Sequence, residues 1–204
     1  MRFAYAVSAA AILFASASAQ ADPFKGGYVG GAVGRVTSNV VSKAYSSYTA
    51  DSLERKDKRK TGYKVYGGYS FGYVGVEGGY YDLGTYRYSG YFSGSYSSDK
   101  FASKAVGLFL TGNHALSESF GLHGKLGAAR VTTRYTCSNL CTNFPDNSES
   151  SIKPALGIGV SWQPVKHFAV KLDFETIRGA RYQYGPASLK ANYDMLSLGA
   201  EVRI

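Results

Sequence analysis

Apolar and polar side chains alternate residue by residue along most of this chain. The closing ten residues, MLSLGAEVRI, show it in full. Leu196, Leu198, Ala200, Val202 and Ile204 fall on one face, and Met195, Ser197, Gly199, Glu201 and Arg203 on the other. A strand points successive side chains to opposite faces, so this segment predicts a strand with one apolar and one mostly polar side. Seven earlier runs repeat the pattern: YVGGAVGR from Tyr28, YKVYGGY from Tyr63, YVGVEGGYYDL from Tyr73, KAVGLFLTG from Lys104, FGLHGKLGAAR from Phe120, PALGIGVSW from Pro154 and FAVKLDFET from Phe168. Each carries Val, Leu, Ile or an aromatic on one face. Most runs have 9–11 residues, the length a tilted strand needs to cross a bilayer.

The connections alternate in length. Ser70 to Gly72, Asn113 to Ser119 and Gln163 to His167 are short, whereas Thr37 to Lys60, Gly84 to Ser103, Val131 to Ser151 and Ile177 to Lys190 are long and polar. Short turns at one end and long loops at the other characterise outer-membrane barrels. The prediction is an all-β fold: an eight-stranded antiparallel up-and-down transmembrane β-barrel, with both termini at the short-turn, periplasmic end. No stretch approaches 18 consecutive apolar residues, which excludes a helical membrane protein.

The charges obey the same phase. Glu77, Lys125, Lys171, Asp173, Glu175, Glu201 and Arg203 all fall opposite the apolar bands and predict a charge network inside the barrel. A Lys or Arg on the lipid face near midplane costs roughly 2–4 kcal/mol. Eight strands enclose a space just wide enough for side chains to fill. Tyr66, Tyr81, Phe109, His123 and Lys171 are long inward residues suited to filling it, which argues against a wide diffusion pore. The network reads first as structural filling and second as a gate.

The first residues place the chain in a compartment. Arg2 supplies a positive start, Phe3 to Phe14 are apolar apart from Ser8, and ASA (Ala17 to Ala19) or AQA (Ala19 to Ala21) offers a cleavage site. This predicts a cleavable signal peptide over 1–21 and a barrel domain over 22–204. The apolar run falls short of the roughly 20 residues of a spanning helix. The composition, with 25 Gly, 18 Tyr and 11 Phe, suits aromatic girdles and a crowded interior. It also suits a low-complexity segment, but here the glycines sit inside alternating runs.

With these runs in place, the chain resembles the OmpA-type transmembrane barrels of Gram-negative outer membranes over essentially its whole mature length. YVGVEGGYYDLG resembles the third strand, with Glu77 at the lumenal glutamate. ALSESFGLHGKLGAA resembles the second periplasmic turn and fifth strand, with Lys125 at a basic lumenal position. KPALGIGVSWQPVKHFAVKLDFE resembles strands six and seven, with Lys171 at the lumenal arginine. MLSLGAEVRI resembles the closing strand. Thr111 and Ser161 stand where that family's gate has a second lysine and a second glutamate, so the four-charge gate does not carry over. Ile204 replaces the usual terminal aromatic. The chain ends with the barrel, so tethering through a peptidoglycan-binding domain is not expected.

Function in such barrels lies in the loops. The formal net charge is +9, or about +8 once Arg2 leaves with the leader. The run ERKDKRK contributes Arg55, Lys56, Lys58, Arg59 and Lys60, and Arg35, Lys43, Arg178, Arg181 and Lys190 extend the positive rim. Lipopolysaccharide phosphate is the nearest polyanion at the cell surface, and host or surface glycans present the same chemistry. The competing reading is a merely solvated set of loops, and the compartment speaks against nucleic acid. Tyr86, Tyr88, Tyr91, Phe92 and Tyr96 enrich the second loop and read as girdle before contact surface. Cys137 and Cys141 form an even pair in an exported chain, which favours a disulfide. A C-x3-C metal site needs further ligands, and no histidine is near in sequence.

Lipid A enzymes need a nucleophile, a histidine and a carboxylate in reach. His114 and His167 fall in short turns and His123 inside near that end, away from lipid A. The expectation is therefore a non-catalytic, monomeric outer-membrane barrel without cofactor or metal. Its partners are outer-membrane lipid and lipopolysaccharide, and its role is envelope integrity and surface interaction. A dedicated adhesin is the alternative; a narrow-conductance porin or a lipid A enzyme ranks lower.

Overall fold

A computed structural model of the protein describes residues 25–42, 59–92, 95–137, 147–184 and 187–204. The expected signal peptide, Lys43, Arg55, Lys56, Lys58 and Cys141 lie outside them. The described residues form eight strands: β1 (Gly26–Ser42), β2 (Arg59–Ser70), β3 (Val74–Phe92), β4 (Ser95–Ala115), β5 (Phe120–Cys137), β6 (Asn147–Val165), β7 (Phe168–Tyr184) and β8 (Ala187–Arg203). Each pairs antiparallel with its chain neighbours, and β8 returns to β1 through Tyr28↔Arg203 and Val33↔Leu198. Closure leaves neither β1 nor β8 as an open edge, as a sheet that crosses a bilayer requires.

The outward faces match the alternating runs. Leu108 (70% exposed), Leu198 (58%) and Ile158 (56%) stand in a continuous apolar belt that includes Val29, Val65, Val76, Leu126 and Leu172. A patch of that extent in water would be an aggregation surface; in hydrocarbon it is the natural outer face. At the short-turn end the belt is edged by aromatics. Phe120 stacks on Trp162 at 6.5 Å, and Tyr69 sits 5.0 Å from Phe71. That is where an interfacial girdle belongs.

The strands exceed the expected 9–11 residues, running from 12 in β2 to 21 in β4. Most of the segments expected as long loops are strand instead. The β3–β4 hairpin pairs to Phe92↔Ser95 and β7–β8 to Tyr184↔Ala187. Arg59 and Lys60 therefore open β2, Arg178 and Arg181 lie in β7, Lys190 lies in β8, and Cys137 closes β5. Beyond the lipid the outward strand face meets water, so pairing persists there without the apolar-out signature.

Two glycine bulges shape this upper wall. In β3 the register shifts between Asp82 and Thr85, with Gly84 at φ 86° and its N–H donated to Asp82 Oδ1 at 2.9 Å. In β7 it shifts between Ile177 and Ala180, with Gly179 at φ 76° and its N–H donated to Asn192 Oδ1 at 2.8 Å. Such φ values favour glycine. The extra residue in β3 inverts the alternation beyond it, so Tyr86, expected in a girdle, is buried in the interior.

Inside, the barrel has two storeys. The storey toward the short turns is ionic. The one toward the hairpins is an apolar core of Val36, Tyr81, Leu83, Tyr86, Ala105, Phe109, Val131, Ile177, Tyr193 and Met195.

Candidate functional site: the lumenal charge network and the cationic rim

The ionic storey is assembled by phase. Lys64 of β2, Glu77 of β3, His123 and Lys125 of β5, Lys171, Asp173 and Glu175 of β7, and Glu201 and Arg203 of β8 all occupy inward positions and are buried. Lys64 Nζ bonds Asp173 Oδ2 at 2.6 Å and Glu175 Oε2 at 2.8 Å. Glu175 also pairs with Lys125, whose Nζ reaches Glu77 Oε1 at 2.6 Å. Tyr28 donates to Glu77 Oε2 at 3.1 Å, and Tyr81 donates to Glu175 Oε1 at 3.1 Å. His123 Nε2 lies 2.5 Å from Asp173 Oδ1. A second group joins Lys171 to Glu201 at 3.1 Å and Glu201 to Arg203 at 2.6 Å.

Four cationic side chains thus face four carboxylates, and His123 completes the set. The chain His123–Asp173–Lys64–Glu175–Lys125–Glu77 spans the interior and ties β2, β3, β5 and β7 together. Aromatic faces flank the ammoniums: Lys125 lies 4.7 Å from the Phe109 centroid and Lys64 5.1 Å from that of Tyr66. Such contacts compensate part of the desolvation of a buried cation. Coulomb attraction inside a barrel roughly offsets desolvation, so the network's effect lies less in net stability than in making every partner necessary.

The seven charges expected inside all lie there. Lys64 is not among those seven, yet it is the hub of the network. Its two partners sit on β7, a strand it does not pair with, so no sequence spacing announces the contact. Ser161, at the position of the family gate's second glutamate, donates to the Gly121 carbonyl at 3.4 Å, not to His123. Among the described residues, no serine hydroxyl is hydrogen-bonded to His123. Among the described residues no group of three or more His, Cys, Asp or Glu is placed to hold a metal.

Gly159 is a built-in constraint of this site. A Cβ there would meet Asp173 Oδ1, His123 Nε2 at 2.6 Å and the Leu172 carbonyl at 2.6 Å. The carbonyl belongs to the wall and cannot yield. Gly159→Ala is expected to cost about 1–3 kcal/mol by overpacking, read as a lowered urea midpoint. Gly124→Ala, whose Cβ would meet only the Gly157 carbonyl at 3.7 Å, is expected to leave the midpoint unchanged or slightly raised. Equal losses at both positions would refute the steric account.

The second candidate feature lies outside. Arg35 and Arg59 are exposed just past the last apolar outward residues of β1 and β2, and Arg178 stands likewise on β7, paired with Asp194 at 3.2 Å. Lys60 is half-buried. The sequence reading did not include Lys104 and Arg130, which are exposed at the same boundary on β4 and β5. Each is the first outward charge after an apolar run, which is the signal that would have found them. Arg181 lies in β7 opposite Lys190.

With this geometry in hand, comparisons give a consistent answer. The profile of the outer membrane protein beta-barrel domain matches residues 7–203. The fold is similar to that of Neisserial surface protein A (TM-score 0.61, 13% identity, 88% of this chain and 98% of that one). It is also similar to OprG from Pseudomonas aeruginosa (TM-score 0.56, 14% identity, 88% and 97%). AlkL, solved in DMPC lipid bilayers, aligns with TM-score 0.52 and 14% identity over 94% and 95% of the two chains. At these identities the likeness is one of fold. No curated protein matches the sequence.

Proposed function

Because the chain belongs to the outer membrane protein β-barrel domain family, we propose that it is a non-catalytic barrel of the Gram-negative outer membrane that supports envelope integrity by engaging lipopolysaccharide. Its termini and short turns face the periplasm and its long hairpins face outward. The observation that carries this reading is the rim of Arg35, Arg59, Lys104, Arg130 and Arg178, set where the apolar belt ends on the hairpin side. That is the depth at which lipid phosphates lie. Guanidinium groups bind phosphate oxygens in forked, charge-assisted pairs. The filled interior supports the same reading, because a barrel plugged by ion pairs and aromatics is suited to a wall rather than to bulk transport.

The test is a quadruple variant, Arg35→Gln, Lys104→Gln, Arg130→Gln and Arg178→Gln, in phospholipid nanodiscs titrated with lipopolysaccharide. The expected result is an affinity roughly tenfold weaker, about 1.4 kcal/mol, with the wild-type advantage shrinking as salt rises. Undiminished affinity at low salt would overturn the proposal. If the variant instead lost attachment to sulfated-glycan surfaces while keeping lipopolysaccharide, the adhesin reading would replace it.

A further inference from the structure

We propose that the outward face of β2–β6, just above the apolar belt, binds a phosphate that carries a primary amine, as in a phosphoethanolamine group, with the ammonium on Asp82, Tyr63 and Tyr80 and the phosphate on Lys104, Arg130 and Thr132. The patch belongs to the rim, so this selectivity rests on the proposed engagement of lipopolysaccharide and specifies the form of phosphate that is taken.

Register lines these side chains up. Tyr63 pairs with Asp82, Asp82 with Lys104, Lys104 with Thr132, and Thr132 with Ser150, one residue from each of five consecutive strands. All of them stand on the outward face. Tyr80 and Arg130 share the next outward row toward the belt, both opposite Val106. Adjacent strands lie about 4.8 Å apart, so a charge over Asp82 and one over Lys104 are separated by roughly the reach of the two-carbon linker between amine and phosphate.

Asp82 is an acid set among cations, and nothing local requires its charge. Its Oδ1 accepts the Gly84 N–H at 2.9 Å. The matching bulge at Gly179 is capped by the neutral amide of Asn192 at 2.8 Å, so capping alone does not call for a carboxylate. Asp194 on β8, by contrast, is held by Arg178 at 3.2 Å and by the Thr176 hydroxyl at 2.6 Å. Among the described residues Asp82 and Lys104 form no such ion pair, although they are register partners. The Lys104 ammonium interacts with the Tyr80 hydroxyl instead. The Tyr63 and Tyr80 rings lie 6.4 Å apart, and Asp82 acts electrostatically on Tyr63. A primary ammonium has three N–H donors. The second Asp82 oxygen and the two phenol oxygens are three acceptors, beside ring faces that attract cations.

The phosphate half lies next to it. Thr132 and Ser150 share one hydrogen bond at 2.8 Å. Two hydroxyls joined by a single bond keep one O–H, which is left to donate outward. Exposed Arg130 and Arg134 flank Thr132 on the same face of β5, and Lys104 stands beside it on β4. A phosphate placed there meets a hydroxyl and cations from two strands, in charge-assisted bonds of the strong kind. Bare phosphate would use only this half and would face Asp82 as a like charge one strand away. A phosphate bearing an amine covers the acid with its own cation. The patch therefore separates the two forms, which a uniformly cationic rim would not.

The test uses the full barrel in phosphatidylcholine nanodiscs, titrated with two lipopolysaccharide preparations that differ only in phosphoethanolamine on lipid A. The modified form is expected to bind about threefold tighter, as one solvent-exposed ion pair allows. Asp82→Asn keeps an acceptor for the Gly84 N–H and is expected to abolish the preference, weakening the modified form and tightening the bare one. Tyr63→Phe, the second variant, is expected to reduce the preference and leave the bare form unchanged. Excess phosphatidylethanolamine in the disc identifies the source. Loss of the preference there means that the patch takes the headgroup from either lipid, and its persistence means that lipid A supplies it. Equal affinity of the wild type for the two forms, with both weakened in the quadruple rim variant, would overturn this inference and leave the lipopolysaccharide reading standing. Binding of both forms that the quadruple variant leaves undiminished would overturn that reading too. A preference that survives Asp82→Asn would also overturn the inference.

Discussion

Replacing Lys64 with methionine is expected to lower the unfolding free energy of the barrel by about 3–5 kcal/mol, the usual cost of stranding a buried charge. Lys64 is 1% exposed, and its ammonium bonds both Asp173 and Glu175. Methionine preserves length and apolar stem, so the loss isolates the charge rather than the packing. Asp173 keeps His123, and Glu175 keeps Lys125 and the Tyr81 hydroxyl, so each carboxylate loses an ammonium partner in a buried interior. The triple variant Lys64→Met, Asp173→Asn, Glu175→Gln removes the stranded charges together and is expected to recover at least half of the loss. Urea unfolding in vesicles, followed by the fluorescence of Trp162, the single tryptophan, measures both. A loss under about 1 kcal/mol for the single variant would mean that the charge is already solvated and that the network does not tie β2 to β7.

That experiment turns on a contact the sequence could only half disclose. Alternation was enough to orient Lys64, Glu77, Lys125 and Asp173 inward, because a wrong phase would place charge in lipid. It could not pair them. Lys64 and Asp173 sit on strands that are not neighbours, and their meeting depends on the register of every strand between. The same limit applies above the belt. There the outward residues face water, the lipid no longer enforces an apolar side, and GTYRYSGYF from Gly84 reads as a polar loop although it is strand. The bulge at Gly84 then reverses the phase, which is why Tyr86 lies inside. The apolar upper storey escaped notice for a related reason. Leu83 and Ile177 sit at the edges of the alternating runs, next to the two bulges, and their shared pocket exists only after the barrel closes.

The two storeys divide the labour of the fold. Below, paired charges hold non-adjacent strands at fixed distance and make the wall rigid. Above, the filling is apolar apart from bonds such as that between Ser103 and the Tyr193 hydroxyl at 2.9 Å, and glycine bulges shift the register of β3 and β7. A barrel built this way fills its interior with ion pairs on one side and with apolar side chains on the other. The rim charges lie at the boundary, where the first outward cation on each strand marks the edge of the hydrocarbon.

That boundary has a measurable consequence on β4. Leu110, Leu108 and Val106 face outward in succession, followed by exposed Lys104. Leu108 is the middle of the three and 70% exposed, so an arginine there would be held in hydrocarbon with no inward route to the lumenal carboxylates. Leu108→Arg is expected to cost about 2–4 kcal/mol, the value for a basic residue at the bilayer midplane. Val106→Arg stands one outward position from Lys104 and is close enough to the rim for its long side chain to reach polar headgroups. Its cost is expected to be about 1 kcal/mol or less, as near an interface. Unfolding titrations of the two variants in vesicles give the comparison directly. In short-chain detergent, where the apolar shell is soft, the difference between them is expected to shrink. Equal costs at the two positions in vesicles would mean that the apolar belt is not centred on Leu108, and the depth assigned to the rim would have to move with it.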